Sequence, residues 1–132
     1  MSLYFWIAIG SALGGVARHA LNGLAESQLG SSFPWGILII NVTGSFAIGF
    51  IYTLSGPDGR WVLSSESRQF LMVGICGGYT TFSSFSLRTL LMMREGALMR
   101  AGANIALSVV LCLVAAWLGQ VAAAAINASK GS

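Results

Sequence analysis

Asn41 stands inside an apolar stretch, with Thr43 and Ser45 close behind it. An amide in hydrocarbon is costly unless it finds a partner or faces water. Two chemistries suit it: a hydrogen bond that ties one helix to another, or donation to a solute in a polar path. Residue type alone leaves both open. A second cluster runs from Gly74 to Ser86. It holds the adjacent glycines Gly77 and Gly78, and the hydroxyls of Thr80, Thr81, Ser83, Ser84 and Ser86. Glycine costs a helix about 1 kcal/mol against alanine, so a pair of them either kinks the helix or breaks it. A break exposes carbonyl oxygens at the end of the first half, which suit a cation. It also exposes N–H groups at the start of the second half, which suit an anion. Transporters place such breaks at ion sites. Phe82 and Phe85, three apart, share one helical face, and Ser84 shares a face with Arg88, four further on. Later in the chain Asn104, Ser108 and Cys112 recur every four residues. That spacing draws a polar stripe along one side of a helix, and the hydroxyls of the preceding apolar segment, residues 70–93, are its natural partners. Together these residues outline a narrow wet path edged by aromatic rings.

Other chemistries find little support. His19 is the single histidine, and no nucleophile, base and acid form a set, so no catalytic residue is assigned. Cys76 and Cys112 lie in apolar runs and read as small buried hydrophobes. Two isolated cysteines make neither a disulfide framework nor a metal site. The net charge of +3 is scattered, and the aromatics do not alternate with basic residues, so nucleic acid is not an expected partner. Glu26, Asp58, Glu66 and Glu95 all lie in loops or at the ends of apolar segments. A proton-coupled pump needs a carboxylate at mid-membrane. A small dual-topology multidrug-type exporter, the main alternative, would need one in its first span.

The elements that position these residues are membrane spans. The chain is 55% hydrophobic and 8% charged, where a soluble domain carries roughly 25% charged residues. A chain this short cannot bury that much apolar surface in its own core, whereas a bilayer accepts it as solvent. About 20 apolar residues cross a bilayer as a helix, and four windows qualify: residues 4–24, 35–54, 70–93 and 101–125. The expectation is an all-α membrane protein, one four-span domain over residues 1–132, with the third span broken at mid-membrane. Turn signals separate the spans at Gly30–Pro34, Ser55–Gly59 and Arg94–Gly96. Trp6, Trp35, Trp61 and Trp117 mostly sit near span ends, as an aromatic belt does. The first segment lacks a basic n-region and a cleavage site, so it reads as a span rather than a signal peptide. The tail from Ala128 to Ser132 reads as unstructured. Small-residue pairs, Gly10/Gly14, Ser45/Gly49 and Gly74/Gly78, mark places where helices touch.

Charge sets the orientation of such a bundle. With four spans, Arg60, Arg68 and Lys130 share one side, and Arg94 and Arg100 the other, with Arg18 and Arg88 near its edge. Three against four is no bias. Either a small asymmetry or an assembly factor sets one topology, or the chain inserts both ways and pairs as an antiparallel homodimer.

The residues that carry these features also carry a family resemblance. Gly14-Gly15-Val16-Ala17-Arg18, the stretch from Gly36 to Phe46 around Asn41, and the run from Gly74 to Ser86 resemble the Fluc, or CrcB-type, fluoride channels over the whole chain. A Gly-Gly pair followed by Thr-Thr-Phe-Ser is a rare order inside a span. The resemblance implies a dual-topology antiparallel homodimer in the inner membrane of a bacterium, exporting fluoride passively to relieve its toxicity. It implies two fluoride pathways and a structural sodium ion (Na+) at the dimer centre, held by backbone carbonyls that match Gly77 and Thr80. It places Asn41, Phe82 and Phe85 on the pathway, with Ser83, Ser84 and Ser108 as its hydroxyl track. This chain departs from the family pattern at Arg88, where many relatives carry Glu, and at Asn104, where Tyr is common. The chemistry is coherent. Fluoride is small and tightly hydrated, so a pore must replace its water with donors. Amides and hydroxyls donate, and ring edges carry partial positive charge.

Overall fold

In the computed structural model, which describes residues 2–129, all regular structure is helical. Helix α1 spans Ser2–Leu29 and α2 spans Trp35–Leu54. A helical run then begins with α3, Ser65–Gln69, widens into a π-helical segment, Phe70–Cys76, and ends in a single turn, α4, Gly77–Tyr79. Helix resumes as α5, Phe82–Arg94, and α6 covers Leu98–Ser129. Helix α2 coincides with its apolar window. The others overrun theirs, because a helix continues past the hydrocarbon wherever its backbone bonds and caps allow. Ser64, for example, caps α3 by accepting the Ser67 N–H at 3.1 Å. Gly30 and Gly96 adopt φ of +83° and +81° and end α1 and α5, the left-handed position that glycine takes without strain. Of the tail, Ala128 and Ser129 are helical, which corrects the expectation there: nothing breaks the alanine-rich run before them. Lys130, Gly131 and Ser132 lie outside the described residues.

Among the described residues, three helical runs are long and apolar enough to cross a membrane: Trp35–Leu54, Ser65–Arg94 taken as one, and Leu98–Ser129. Helix α1 has the length, but Arg18 and His19 dilute its apolar stretch. Large apolar side chains stand exposed on every long helix, among them Phe5, Val16, Ile39, Leu113 and Trp117. A water-soluble monomer does not carry that much apolar surface. The protein is a multi-pass membrane protein.

Contacts define two ends of the bundle. At one, Ser2 Oγ donates to Glu66 at 2.8 Å, the Arg60 N–H donates to Asn127 Oδ1 at 2.8 Å, and Arg68 donates to Ser55 Oγ at 3.0 Å. At the other, Arg88 reaches Glu26 at 3.4 Å and the Ser31 carbonyl at 3.1 Å, while Arg100 reaches the Ser32 carbonyl at 3.1 Å. Within the bundle α2 packs chiefly on α6, and α1 packs on the π-helical segment and α4. The small-residue pairs mark these seams. Gly10 and Gly14 lie against Gly74 and Gly78, and Gly49 lies against Ala116.

Candidate ion pathway at the helix break

Helical conformation ends at Tyr79. Thr80 (φ −80°, ψ 158°) and Thr81 (φ −151°, ψ 112°) are extended, and helix resumes at Phe82. In an unbroken helix the Thr81 N–H would close on the Gly77 carbonyl. Here it donates to Asn41 Oδ1 at 2.8 Å, while Asn41 Nδ2 donates back to the Thr81 carbonyl at 3.1 Å. One amide thus satisfies both backbone groups of an extended residue, as a neighbouring strand would. Thr81 is buried, so both groups would otherwise be orphaned away from water, at a cost of several kcal/mol in hydrocarbon. The clamp uses one of the two Nδ2 protons and leaves the other for a ligand.

Thr81 also starts α5. Its Oγ1 accepts the Ser84 N–H at 3.1 Å, a helix N-cap, and lies 3.3 Å from Ser83 Oγ. On the other side of the break, Thr80 Oγ1 donates to the Cys76 carbonyl at 3.0 Å. Tyr79 is held by its hydroxyl, 2.8 Å from Thr43 Oγ1. Helix α2 passes the break so closely at Gly44 that a Cβ there would strike the Thr80 methyl. The glycine is what lets Asn41, one turn earlier, reach Thr81.

The candidate residues divide between two cavities, one on either side of Thr81 at the break. A cavity of about 420 Å³ is lined by Asn41, Gly77, Thr80, Phe82, Phe85 and Ser108, with Cys76 and Cys112 among its other walls. The two rings lie 5.3 Å apart, tilted by 50°. Phe82 is 78% exposed, so its ring stands open on the surface of the single chain. Ser83 and Ser84 face elsewhere. They line a second cavity of about 350 Å³ with Arg18, His19 and Asn22 of α1. Each helical step turns the side chain by about 100°, which carries Ser83 and Ser84 off the face shared by Phe82 and Phe85. Four of the six candidate residues, Asn41, Phe82, Phe85 and Ser108, thus share one cavity, and Ser83 and Ser84 share the other. Thr81 lines both cavities.

Three participants escaped sequence reasoning. Thr81 was one hydroxyl among several, and only its dihedral angles mark it as the clamped residue. Asn22 was read as part of an apolar span. Thr89 takes the Asn104 amide at 2.9 Å; its position four residues after Phe85, on the same helical face, was the available signal. Arg88, four residues after Ser84, faces α1 as Ser84 does and reaches Glu26 near its end. No cluster of three or more His, Cys, Asp or Glu side chains able to hold a metal occurs among the described residues. Any cation at the break would rely on backbone and hydroxyl oxygens.

A family profile described as "CrcB-like protein, Camphor Resistance (CrcB)" matches residues 5–120. The chain belongs to the CrcB-like family. Among CrcB-like relatives, a protein of Methylocella silvestris is 59% identical over 129 residues, 98% of each chain. One of Opitutus terrae is 55% identical over the full length of both. One of Rhodospirillum rubrum is 55% identical over 94% of this chain and 96% of its own. Each of the three is named a fluoride-specific ion channel, FluC.

Proposed function

We propose that this protein is a fluoride-selective passive ion channel that exports fluoride across the inner membrane of a bacterium. The observation that carries the proposal is whole-chain similarity to named fluoride-specific channels, at 59% identity in one case. The geometry at the break supports it. Asn41 holds an N–H toward a cavity edged by two tilted rings and a serine, and the start of α5 adds helix N–H groups of positive sign. The amide N–H, the ring edges and the helix start are donors or partial positive charges suited to a small, hard anion. Fluoride approaches past Ser83 and Ser84, crosses the break at Thr81, and passes Asn41, Phe82, Phe85 and Ser108. Hydrogen fluoride crosses membranes neutral and ionises inside, so a passive path suffices for export. The membrane potential supplies about 2.3 kcal/mol per charge per 100 mV.

The working unit of this proposal is an antiparallel homodimer of chains that each cross the bilayer four times, as one domain over residues 1–132. The exposed Phe82 and the open cavity beside it supply a face for a second copy. A structural sodium ion at the dimer centre fits the residues present. The break turns the Thr81 N–H away from the Gly77 carbonyl, Thr80 is extended, and carbonyl oxygens are hard ligands suited to a hard cation. Bound there, such an ion supplies positive charge that offsets the cost of bringing an anion near. Density for a cation ringed by the Gly77 and Thr80 carbonyls is the expected result in a high-resolution map of the dimer, and a water or an empty kink there removes sodium from the proposal.

Liposomes loaded with fluoride or chloride test the function. Reconstituted protein should release fluoride rapidly and leave chloride trapped. Equal release of both, or of neither, refutes the channel. A multidrug-type exporter would need a carboxylate at mid-membrane, but Glu26 lies in the last turns of α1, engaged by Arg88.

A further inference from the structure

Behind the wall of the larger cavity, Asn104 is 1% exposed, one of the two largest fully buried side chains. It does not line the cavity, whereas Ser108, one turn later on α6, does. The two belong to a chain of hydrogen bonds that runs in one direction. Ser108 Oγ donates to Asn104 Oδ1 at 3.4 Å. Asn104 Nδ2 donates to Thr89 Oγ1 at 2.9 Å, and Thr89 Oγ1 donates to the Phe85 carbonyl at 2.7 Å. In this arrangement the Ser108 proton points inward, and its lone pairs face the cavity, the wrong polarity for an anion. The Ser108 bond is also the long one. A hydroxyl bond is normally about 2.5–3.0 Å, so this is the link an anion displaces first.

An amide can answer that displacement. A half-turn of its terminal group exchanges oxygen for nitrogen at nearly the same positions and so swaps acceptor for donor. After the turn Thr89 donates to Asn104 Oδ1, Nδ2 donates to Ser108 Oγ, and the Ser108 proton is free to face the cavity. We propose that Asn104 is a positioning residue for anion passage, a buried amide whose half-turn reverses the chain from Thr89 to Ser108 so that Ser108 presents its proton to an anion. The reversal leaves no buried side chain of the chain unpaired, because a threonine and an amide each serve as donor and acceptor. A donor that itself accepts a hydrogen bond is polarised toward the anion. The inference rests on the reading that fluoride passes Ser108.

The test is coupling to Ser108, measured as fluoride efflux per reconstituted dimer in four proteins: wild type, N104L, S108A and the double variant. N104L should lower efflux about fivefold when Ser108 is present, the effect of one ordinary hydrogen bond, and should change nothing in the S108A background. T89V, nearly isosteric and at the far end of the chain, should show the same Ser108-dependent loss and replaces N104L if the buried leucine prevents assembly. Independently, the Asn104 side-chain amide resonance should shift when fluoride, but not chloride, is added to the wild type, and should stay put in S108A. Equal fold losses in both backgrounds, or an unmoved resonance in a conducting dimer, overturn the proposal and leave Asn104 a packing residue. A wild type that passes no fluoride, or an S108A dimer as fast as wild type, overturns the pathway through Ser108 and the inference with it.

Discussion

Asn41 does two things with one amide. It caps both backbone groups of Thr81 and keeps a proton for the cavity. Asn41→Ala should therefore fail twice. It orphans a buried N–H and C=O, each worth about 1–3 kcal/mol, and it removes a donor. The expected outcome is a clear drop in melting temperature together with loss of fluoride flux, and a variant that melts like the wild type removes the clamp. Phe82 and Phe85 should behave differently. Phe82 is exposed in the single chain, so it carries little of the chain's own packing. Removing one ring leaves a gap where a dehydrated anion meets no compensating edge charge, and each added barrier of about 1.4 kcal/mol slows passage tenfold. Phe82→Ile and Phe85→Ile should each cut flux at least about tenfold while the dimer stays intact. If instead efflux per reconstituted dimer is unchanged and only the yield falls, both rings are packing residues.

At the scale of elements, the membrane runs were legible because apolar length and turn chemistry are local. The seams between them were half legible. Gly49 was seen to mark a close approach, but only the folded chain shows that α6 is the partner. A Cβ at Gly49 would strike the Ala116 carbonyl, a backbone atom that cannot step aside. At Gly102, on the same α6, a Cβ would meet nothing within 4 Å. Gly49→Ala should destabilise by about 1–3 kcal/mol, as overpacking does, and lower the melting temperature in detergent. Gly102→Ala should hold or raise it, since alanine is the better helix former. Similar melting for both would mean that α2 and α6 separate more easily than their contact suggests. Gly77 and Gly78 marked the neighbourhood of Thr80 and Thr81, but not which residues leave the helical conformation. The glycines are helical, and the extended residues are Thr80 and Thr81, because that is where Asn41 offers a substitute for the lost helical bonds.

For the whole molecule, the contacts of Ser2, Glu66, Arg60 and Asn127 gather at one end, and those of Glu26, Ser31, Arg88 and Arg100 at the other. Arg60 and Arg68 thus lie at one end and Arg88 and Arg100 at the other, an almost even division of these basic residues. An even division gives the positive-inside rule nothing to act on. Several lysines added to the loop at residues 56–59 should lock one orientation, and several added at residues 95–97 the other. Each locked form alone should be silent in efflux, and the two co-expressed should recover it. Full activity from one locked form by itself rules out the antiparallel dimer.

Composition, window length and turn residues sufficed to establish a helical multi-pass membrane protein, and the Gly74–Ser86 run marked the place where its polar chemistry gathers. Those properties are sums over neighbours in the chain, so they can be read without the fold. Which hydroxyl meets which amide is not such a sum. Thr81 with Asn41 spans 40 residues, Asn104 with Thr89 spans 15 across a turn, and Ser83 parts from Phe82 by rotation about one helix axis. Pairings of that kind depend on how helices cross and rotate against one another, and only the tertiary structure decided them.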